Sequence, residues 1–287
     1  MQIELLDTFL DLIETRSFHR TAERLRITQS TVSARVMALE QAVGGRLFTR
    51  SRAGTNLSTE GLKFESHARA LRHAWTEAQR AVAPSGNVAF TLRIGIQNDL
   101  AAGQIGDWVS NFRRSLPDCA FYIEPDYSVQ MCRDIDRGAL DFAVLYSPQA
   151  LPDLHIASVG EVRYRLISGD GAARADVSPQ RYIRGSYSPA FDESHRQAMP
   201  EFTTTLLAAG QNAAVAGLLS VMGGSAFVLE DTAQAMIAGG AYHAVADVEP
   251  IGQPVYAVMH QRHRTSRMHR RLTRIVARAL SRQGTEA

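Results

Sequence analysis

Only two cysteines occur in 287 residues, Cys119 and Cys132, with no C-x-x-C spacing and no histidine beside either. That usage suits a reducing compartment and offers no thiolate metal motif. Each falls where an apolar residue would fit, Cys119 entering a strand and Cys132 on a short helix. Burial as a small hydrophobe is expected, with a redox-responsive pair as the alternative. Net charge is equally scant, since 31 Lys and Arg against 29 Asp and Glu leave +2. Such a balance neither demands nor excludes a polyanionic partner, because a local basic surface can sit inside a neutral total.

The opening MQIELLDTFL has neither the basic start, the apolar run nor the small-residue cleavage site of an export signal, so a cytoplasmic location is expected. Uncharged runs long enough to cross a bilayer come down to Leu206 to Leu229. Within it Gln211 and Asn212 stand side by side, Gly217 interrupts, and Gly223-Gly224 breaks the run ahead of SAFVL. It reads as strand end, helix, turn and buried strand, with no membrane span. There is no P-loop, no G-x-G-x-x-G after a strand, no G-x-S-x-G and no H-E-x-x-H, which disfavours an enzyme. His260 and His263 have the spacing of a metal pair, but no third ligand is near, and neither a metal nor another cofactor is expected.

With 45% hydrophobic residues over this length, the chain can bury a small core and a larger one. The first 58 residues read as three short helices and a hairpin. Leu6, Phe9, Leu10 and Ile13 stripe a helix from Ile3 to Thr15, Ser17 caps one from Phe18 to Leu25, and Thr28 caps a third. In the third, Val32, Val36, Leu39 and Val43 recur on one face until Gly44-Gly45. Leu47 to Arg50 and Thr55 to Leu57 flank a turn at Ala53-Gly54, a small wing. A longer helix follows in residues 59–88, with Phe64, Ala68, Leu71, Trp75, Ala78 and Val82 at alternating spacings of four and three. The pattern serves a helix lying on its own domain, but the position between domains and the large Trp favour a dimer contact.

From Thr91 strands and helices alternate. TLRIGI, FYIEPDYS, DFAVLY and VRYRLIS form one set of strands, and RYIRG, FTTTLL, SAFVLE and PVYAVMH a second set around helices 212–222 and 232–238. This is an α/β region, residues 89–287, with a mainly parallel sheet in two lobes: lobe I about 91–162 and 261–287, lobe II about 163–260. A ligand is expected in the crevice at the carboxyl ends of the strands. Gln97, Asn98 and Asp99 follow the first strand, Ser128 the second, Tyr146 and Ser147 the third, and Thr203, Thr204 and Glu230 face them from lobe II. The basic helix from Ser266 to Arg282 carries Leu272, Ile275, Val276 and Ala279 on one side and reads as a solvated amphipathic helix.

The third helix holds the most pointed chemistry. Opposite its apolar stripe stand Ser30, Ala34 and Met37, with Thr31 and Ser33 flanking and Gln29 on the first turn. Small side chains let a helix enter the major groove, and Gln, Ser and Thr match base edges. Arg35, Arg50 and Arg52 suit phosphate contacts from rim and wing.

The run SFHRTAERLRITQSTVSARVMALEQAVGGRLFTR, followed by LSTEG, resembles the LysR-type transcriptional regulator signature. The matching positions are Ser17, Phe18, Ala22, Leu25, Gln29, Val32, Ser33, Leu39, Glu40, Gly44, Leu47, Phe48, Arg50, Leu57 and Gly61. Thr21 and Ser30 replace the commonest Ala and Pro, and Ala34 stands where an arginine is often found. RIGI, LDFAV and the Gly-containing helix before SAFVLE are similar to the family's effector domain. The resemblance implies a winged helix-turn-helix, a linker helix and a two-lobed effector domain of periplasmic-binding-protein type. It also implies double-stranded promoter DNA, a small-molecule effector of unknown identity and RNA polymerase as partners, in a homodimer or homotetramer.

Overall fold

The computed structural model describes residues 2–51, 54–82 and 90–283, and the chain divides near residue 86 into two compact units. Arg52 lies outside the described residues, as do the side chains of Arg50 and Val82.

The first unit is built from α1 (Ile3–Thr15), α2 (Phe18–Leu25), α3 (Gln29–Val43), a hairpin of β1 (Phe48–Ser51) and β2 (Gly54–Leu57), and α4 (Thr59–Val82). The caps act where the sequence puts them. Ser17 Oγ accepts from Arg20 N at 3.4 Å and Thr28 Oγ1 from Thr31 N at 3.2 Å, each satisfying an amide that the helix leaves without a partner. Leu6, Phe9, Leu10 and Leu12 of α1 pack with Val36 and Leu39 of α3, Leu47, Phe48 and Ala68 in one core. Leu12 is buried and Ile13 only partly so, because α1 is covered by α2, α3 and α4 together and buries a wider arc than one stripe. Val43, expected on the apolar face of α3, is 38% exposed, since the helix outruns the core in its last turn.

Two details explain why the wing sits against α3. Glu40 Oε1 accepts from Leu47 N at 2.7 Å and Phe48 N at 3.3 Å, so a helix carboxylate ties down the backbone entering β1. Ser58 Oγ accepts from Gly61 N at 2.9 Å and donates to Arg46 O at 2.5 Å. A Cβ on Gly61 would stand 2.1 Å from Leu47 O, a backbone atom with nowhere to go. Gly61→Ala should therefore cost about 1–3 kcal/mol through forced backbone shifts, read as a lower urea midpoint. An unchanged midpoint would show that α4 can slide away from residue 47 freely.

The second unit runs β3 (Phe90–Gln97), α5 (Asn98–Ser115), β4 (Cys119–Asp126), α6 (Ser128–Asp136), β5 (Phe142–Leu145), β6 (Leu154–Ser168), β7 (Ile183–Gly185) and α7 (Pro189–Ala198). It continues through β8 (Leu207–Ala209), α8 (Asn212–Met222), β9 (Ser225–Leu229), α9 (Glu230–Ala238), β10 (His243–Ala244), β11 (Ile251–His260) and α10 (Arg267–Gln283). β3 pairs in parallel with β4 and β5, as the βαβ pattern requires. The rest of the sheet is not parallel, contrary to expectation. β6 and β11 run antiparallel from Leu154↔His260 to Tyr164↔Ile251 and carry the sheet from one lobe into the other, while β9 and β10 add antiparallel to the far half of β6. Residues 256–258 pair with β5 in lobe I, so the return crossing lies at the register shift between Val255 and Tyr256, ahead of residue 260. Opposite that shift is Gly160, with φ 140, a conformation that L side chains rarely adopt, and a Cβ there would stand 3.1 Å from Leu280 Cβ of α10.

One further expectation changes. FTTTLL is not a strand. Pro200–Phe202 forms a 3-10 turn and the next residues lead to the short β8, parallel to β7. α7 has no visible periodicity, because only Phe191 and His195 of its side chains are buried. The uncharged run from Leu206 divides into β8, α8 and β9, and among the described residues no helix is long and apolar enough to cross a membrane.

Both cysteines are buried thiols. Burial pushes Cys119 up to about 11 and raises Cys132 as well, which suppresses the reactive thiolate. His263 stacks on His269 with centroids 4.7 Å apart, and its Nε2 accepts from Arg262 Nε at 3.0 Å, an arrangement that requires a neutral imidazole. Burial, aided by His269 and Arg262, lowers His263 to about 4. Its folded value lies below the unfolded one, so this contribution is complete above about pH 6.5 and is lost as pH falls toward 4. Urea melts from pH 7 to 4 should show that loss in the wild type and a flatter profile in His263→Phe; parallel profiles would refute it.

Candidate functional site

In the first unit, α3 turns Val32, Val36 and Leu39 into the core, and this fixes what faces out. Gln29, Ser30, Ala34, Met37, Ala38 and Gln41 are exposed, Thr31 and Ser33 half-buried. The hydroxyls of the first turn are knotted together: Thr28 Oγ1 lies 2.8 Å from Ser30 Oγ and 2.8 Å from Thr31 Oγ1. Arg35 is not on this face. Its Nη1 donates to Thr8 Oγ1 at 3.3 Å, toward α1. Between α3 and the wing runs a groove lined by Ser33, Met37, Gln41, Arg46 and Thr49, which brings Arg46 and Gln41 beside the residues singled out by sequence.

The seam on α4 divides into two parts. Phe64 meets Phe9 edge-on at 5.4 Å and Ala68 is fully buried, both in this unit's own core. Leu71 at 45% and Trp75 at 47% exposure are open, as is Ala78. Phe64 and Ala68 thus serve the fold, and among the described side chains Leu71, Trp75 and Ala78 do not.

In the second unit, the carboxyl ends of β3 and β5 and the starts of α5 and α6 converge. Ser128 Oγ donates to Gln97 Oε1 at 2.8 Å and accepts from Tyr146 N at 3.3 Å and Ser147 N at 3.1 Å. Asp99, 4% exposed, accepts from Tyr164 OH at 2.8 Å and, across to lobe II, from Asn212 N at 2.7 Å. The Tyr164 hydroxyl also lies 3.2 Å from Tyr146 OH, and its ring stacks on Tyr187 with centroids 4.2 Å apart. Burial raises Asp99, against the lowering effect of those two hydrogen bonds, and holds Tyr146 and Tyr164 far above the ordinary phenol range. A second bridge between lobes joins Gln211 Nε2 to Tyr127 OH at 3.2 Å. Gln97, Asp99, Ser128, Tyr146 and Ser147 thus share one network at the carboxyl ends of β3 and β5, with Asn98 half-buried beside it.

Other sequence candidates stand elsewhere. Glu230 is held by Arg165 Nε at 2.8 and 3.0 Å. Thr203 Oγ1 donates to Pro200 O within its own turn, and Thr204 is exposed. Among the described residues no cluster of three His, Cys, Asp or Glu is placed to hold a metal, His260 and His263 included.

Residues 3–62 match the model of the bacterial regulatory helix-turn-helix protein, lysR family, and residues 85–281 match that of the LysR substrate binding domain. The chain belongs to the LysR family. It is a DNA-binding transcriptional regulator with an effector-binding domain. It is 28% identical over 276 residues to the HTH-type transcriptional regulator HdfR of Yersinia enterocolitica, covering 90% of each chain. Its fold matches that of ArgP from Mycobacterium tuberculosis with TM-score 0.63 at 22% identity, over 96% of each chain. It also matches full-length LysG from Corynebacterium glutamicum with bound effector Arg, TM-score 0.60 at 22% identity, over 98% of this chain and 99% of that one.

Two parts of this candidate site are not legible in the sequence. Tyr164 sits 65 positions from Asp99, and Asn212 sits 113 positions from it. Neither residue carries a motif. The one available signal was Asn212 opening a helix inside an apolar run, read as evidence against a membrane span and not as a crevice residue.

Proposed function

We propose that this LysR-family regulator reads a two-fold symmetric DNA site with α3 of each protomer and is switched by a small molecule held between the lobes. The observation that carries the DNA half is the outward face of α3, small and hydrogen-bonding at its first turn, free of carboxylates from Gln29 to Ala38 and bordered by a groove. Gln29, Ser30, Thr31 and Ser33 meet base edges, Thr28 fixes the helix start, and Arg46, Arg50 and Arg52 grip phosphates. Arg35, engaged with Thr8, steadies α3 against α1 instead.

The effector reading rests on the network of Gln97, Asp99, Ser128, Tyr146 and Ser147, supported by the bound effector of the LysG relative. A ligand that bridges the lobes shifts the regulator between assemblies only in proportion to its differential affinity for them. Leu71, Trp75 and Ala78, with Val82, supply the dimer seam. The working protein is cytoplasmic, bends promoter DNA beside RNA polymerase and performs no chemistry of its own.

Footprinting on the promoter beside its own gene tests this directly. Two protected half-sites about one or more helical turns apart are expected. Uniform, salt-sensitive coverage with no protected site would refute sequence-specific reading.

A further inference from the structure

The ridge of α3 that points straight away from the core is Ser30, Ala34, Met37 and Gln41, at spacings of four, three and four. Its two ends can hydrogen-bond and its middle cannot. Met37 is 59% exposed and Ala34 is open beside it. The neighbouring charged side chains are turned elsewhere: Arg35 donates to Thr8, and Glu40 accepts from the amides of Leu47 and Phe48. The middle of this ridge, Ala34 and Met37, therefore offers apolar surface, with the Ser33 hydroxyl flanking it.

We propose that Ala34 and Met37 read the C5-methyl groups of thymine, making this regulator select A·T pairs at the centre of each half-site. The inference rests on α3 entering the major groove and adds the base it selects there. In that groove guanine shows two acceptors, cytosine a donor and adenine one of each, whereas thymine alone shows a methyl group. Seating Ala34 or Met37 against guanine or cytosine strips water from polar base atoms without replacing it, a penalty that a methyl group does not incur. Along a helix the two residues are about 4.5 Å apart, close to the roughly 3.4 Å step of stacked base pairs, so they meet neighbouring positions. Methionine suits the task because its flexible, polarisable thioether adapts to a methyl group without a fixed partner.

Deoxyuridine differs from thymidine by that methyl group alone. Once the protected site is mapped, full-length protein is titrated against duplexes in which each thymidine of a half-site is replaced in turn by deoxyuridine. One or two central positions should lose affinity by about three- to five-fold, the worth of one buried methyl group. Met37→Ala, on an exposed position, should keep the wild-type thermal midpoint and abolish the uridine effect at one of those positions while Ser30-proximal positions respond as before. A protected site with no uridine effect, or one at which every uridine effect survives in Met37→Ala, overturns thymine reading and leaves the DNA-binding reading standing. Failure to find any protected site overturns both.

Discussion

Replacing Leu71 and Trp75 together by glutamate is expected to convert the dimer to a folded monomer and to weaken binding to the full DNA site by at least about a hundred-fold. Both side chains are nearly half exposed on α4, whereas Ala68 and Phe64, one and two turns before Leu71, are taken up by the core of their own unit. Covering the exposed half of a Leu or Trp side chain is worth about 1–1.5 kcal/mol, and two-fold symmetry counts each contact twice. Two such residues therefore carry enough free energy to decide association at micromolar concentration, and carboxylates in the seam reverse its sign. Losing the partner removes the second half-site from the same complex, and with it the effective concentration that makes paired binding tight, typically a factor of about 10² to 10⁴. Sedimentation at micromolar protein and binding to one half-site against two separate the effects. A variant that still sediments as a dimer would show that this seam is not the interface. Single-half-site affinity should change little, because neither residue lies on α3.

Asp99→Ala is expected to loosen the closure of the two lobes and lower the thermal midpoint of the effector domain by about 5–15 °C. The carboxylate is the shared acceptor for Tyr164 OH in the crossing strand and for Asn212 N at the first turn of α8. Without it both donors remain in a site where Asp99 itself was 4% exposed. Each orphaned donor costs about 1–3 kcal/mol, and for a domain of this size one kcal/mol moves the midpoint by about 2–4 °C. Asp99→Asn keeps an acceptor for Asn212 N and should fall between the two. Sodium formate provides the discriminating arm: a small carboxylate can fill the space left in Asp99→Ala and recover part of the midpoint, but has no vacancy to fill in the wild type. If Asp99→Ala melts with the wild type, or if formate raises both equally, the carboxylate does not bridge the lobes. The consequence for regulation is direct, since any ligand entering this crevice meets two lobes already joined by one of the protein's own side chains.

These two expectations lie at opposite ends of what the sequence makes legible. In the first unit the cap residues Ser17, Thr28 and Ser58 and the stripe Val32, Val36, Leu39 set helices and their inner faces through contacts between near neighbours. The division of α4 is not legible in the sequence, because Phe64 and Leu71, seven residues apart, occupy equivalent places in the same repeat and differ only in whether the core of the first unit reaches them. Arg35 likewise belongs by spacing to the rim of the reading helix, yet Thr8, 27 positions away, takes its guanidinium. In the second unit most of the strands after Thr91 are legible, FTTTLL excepted, but not that β6 and β11 are antiparallel, since two buried strands of either direction read alike.

Caps, helix periods and the order of strands follow from hydrogen bonds and burial within a few residues, so the winged helix-turn-helix, the linker helix and the βαβ start of the effector domain can be read from the chain alone. So can the row Gln29, Ser30, Thr31 and Ser33, whose exposure follows from the stripe behind it. The network that ties Asp99 to Tyr164 and Asn212, the crossing at Gly160 and Val255, and the exposure of Leu71 and Trp75 belong to the folded molecule. Each depends on segments brought together from tens to more than a hundred residues apart. At that separation no local pattern records which polar group will meet which, or which apolar face will be left open.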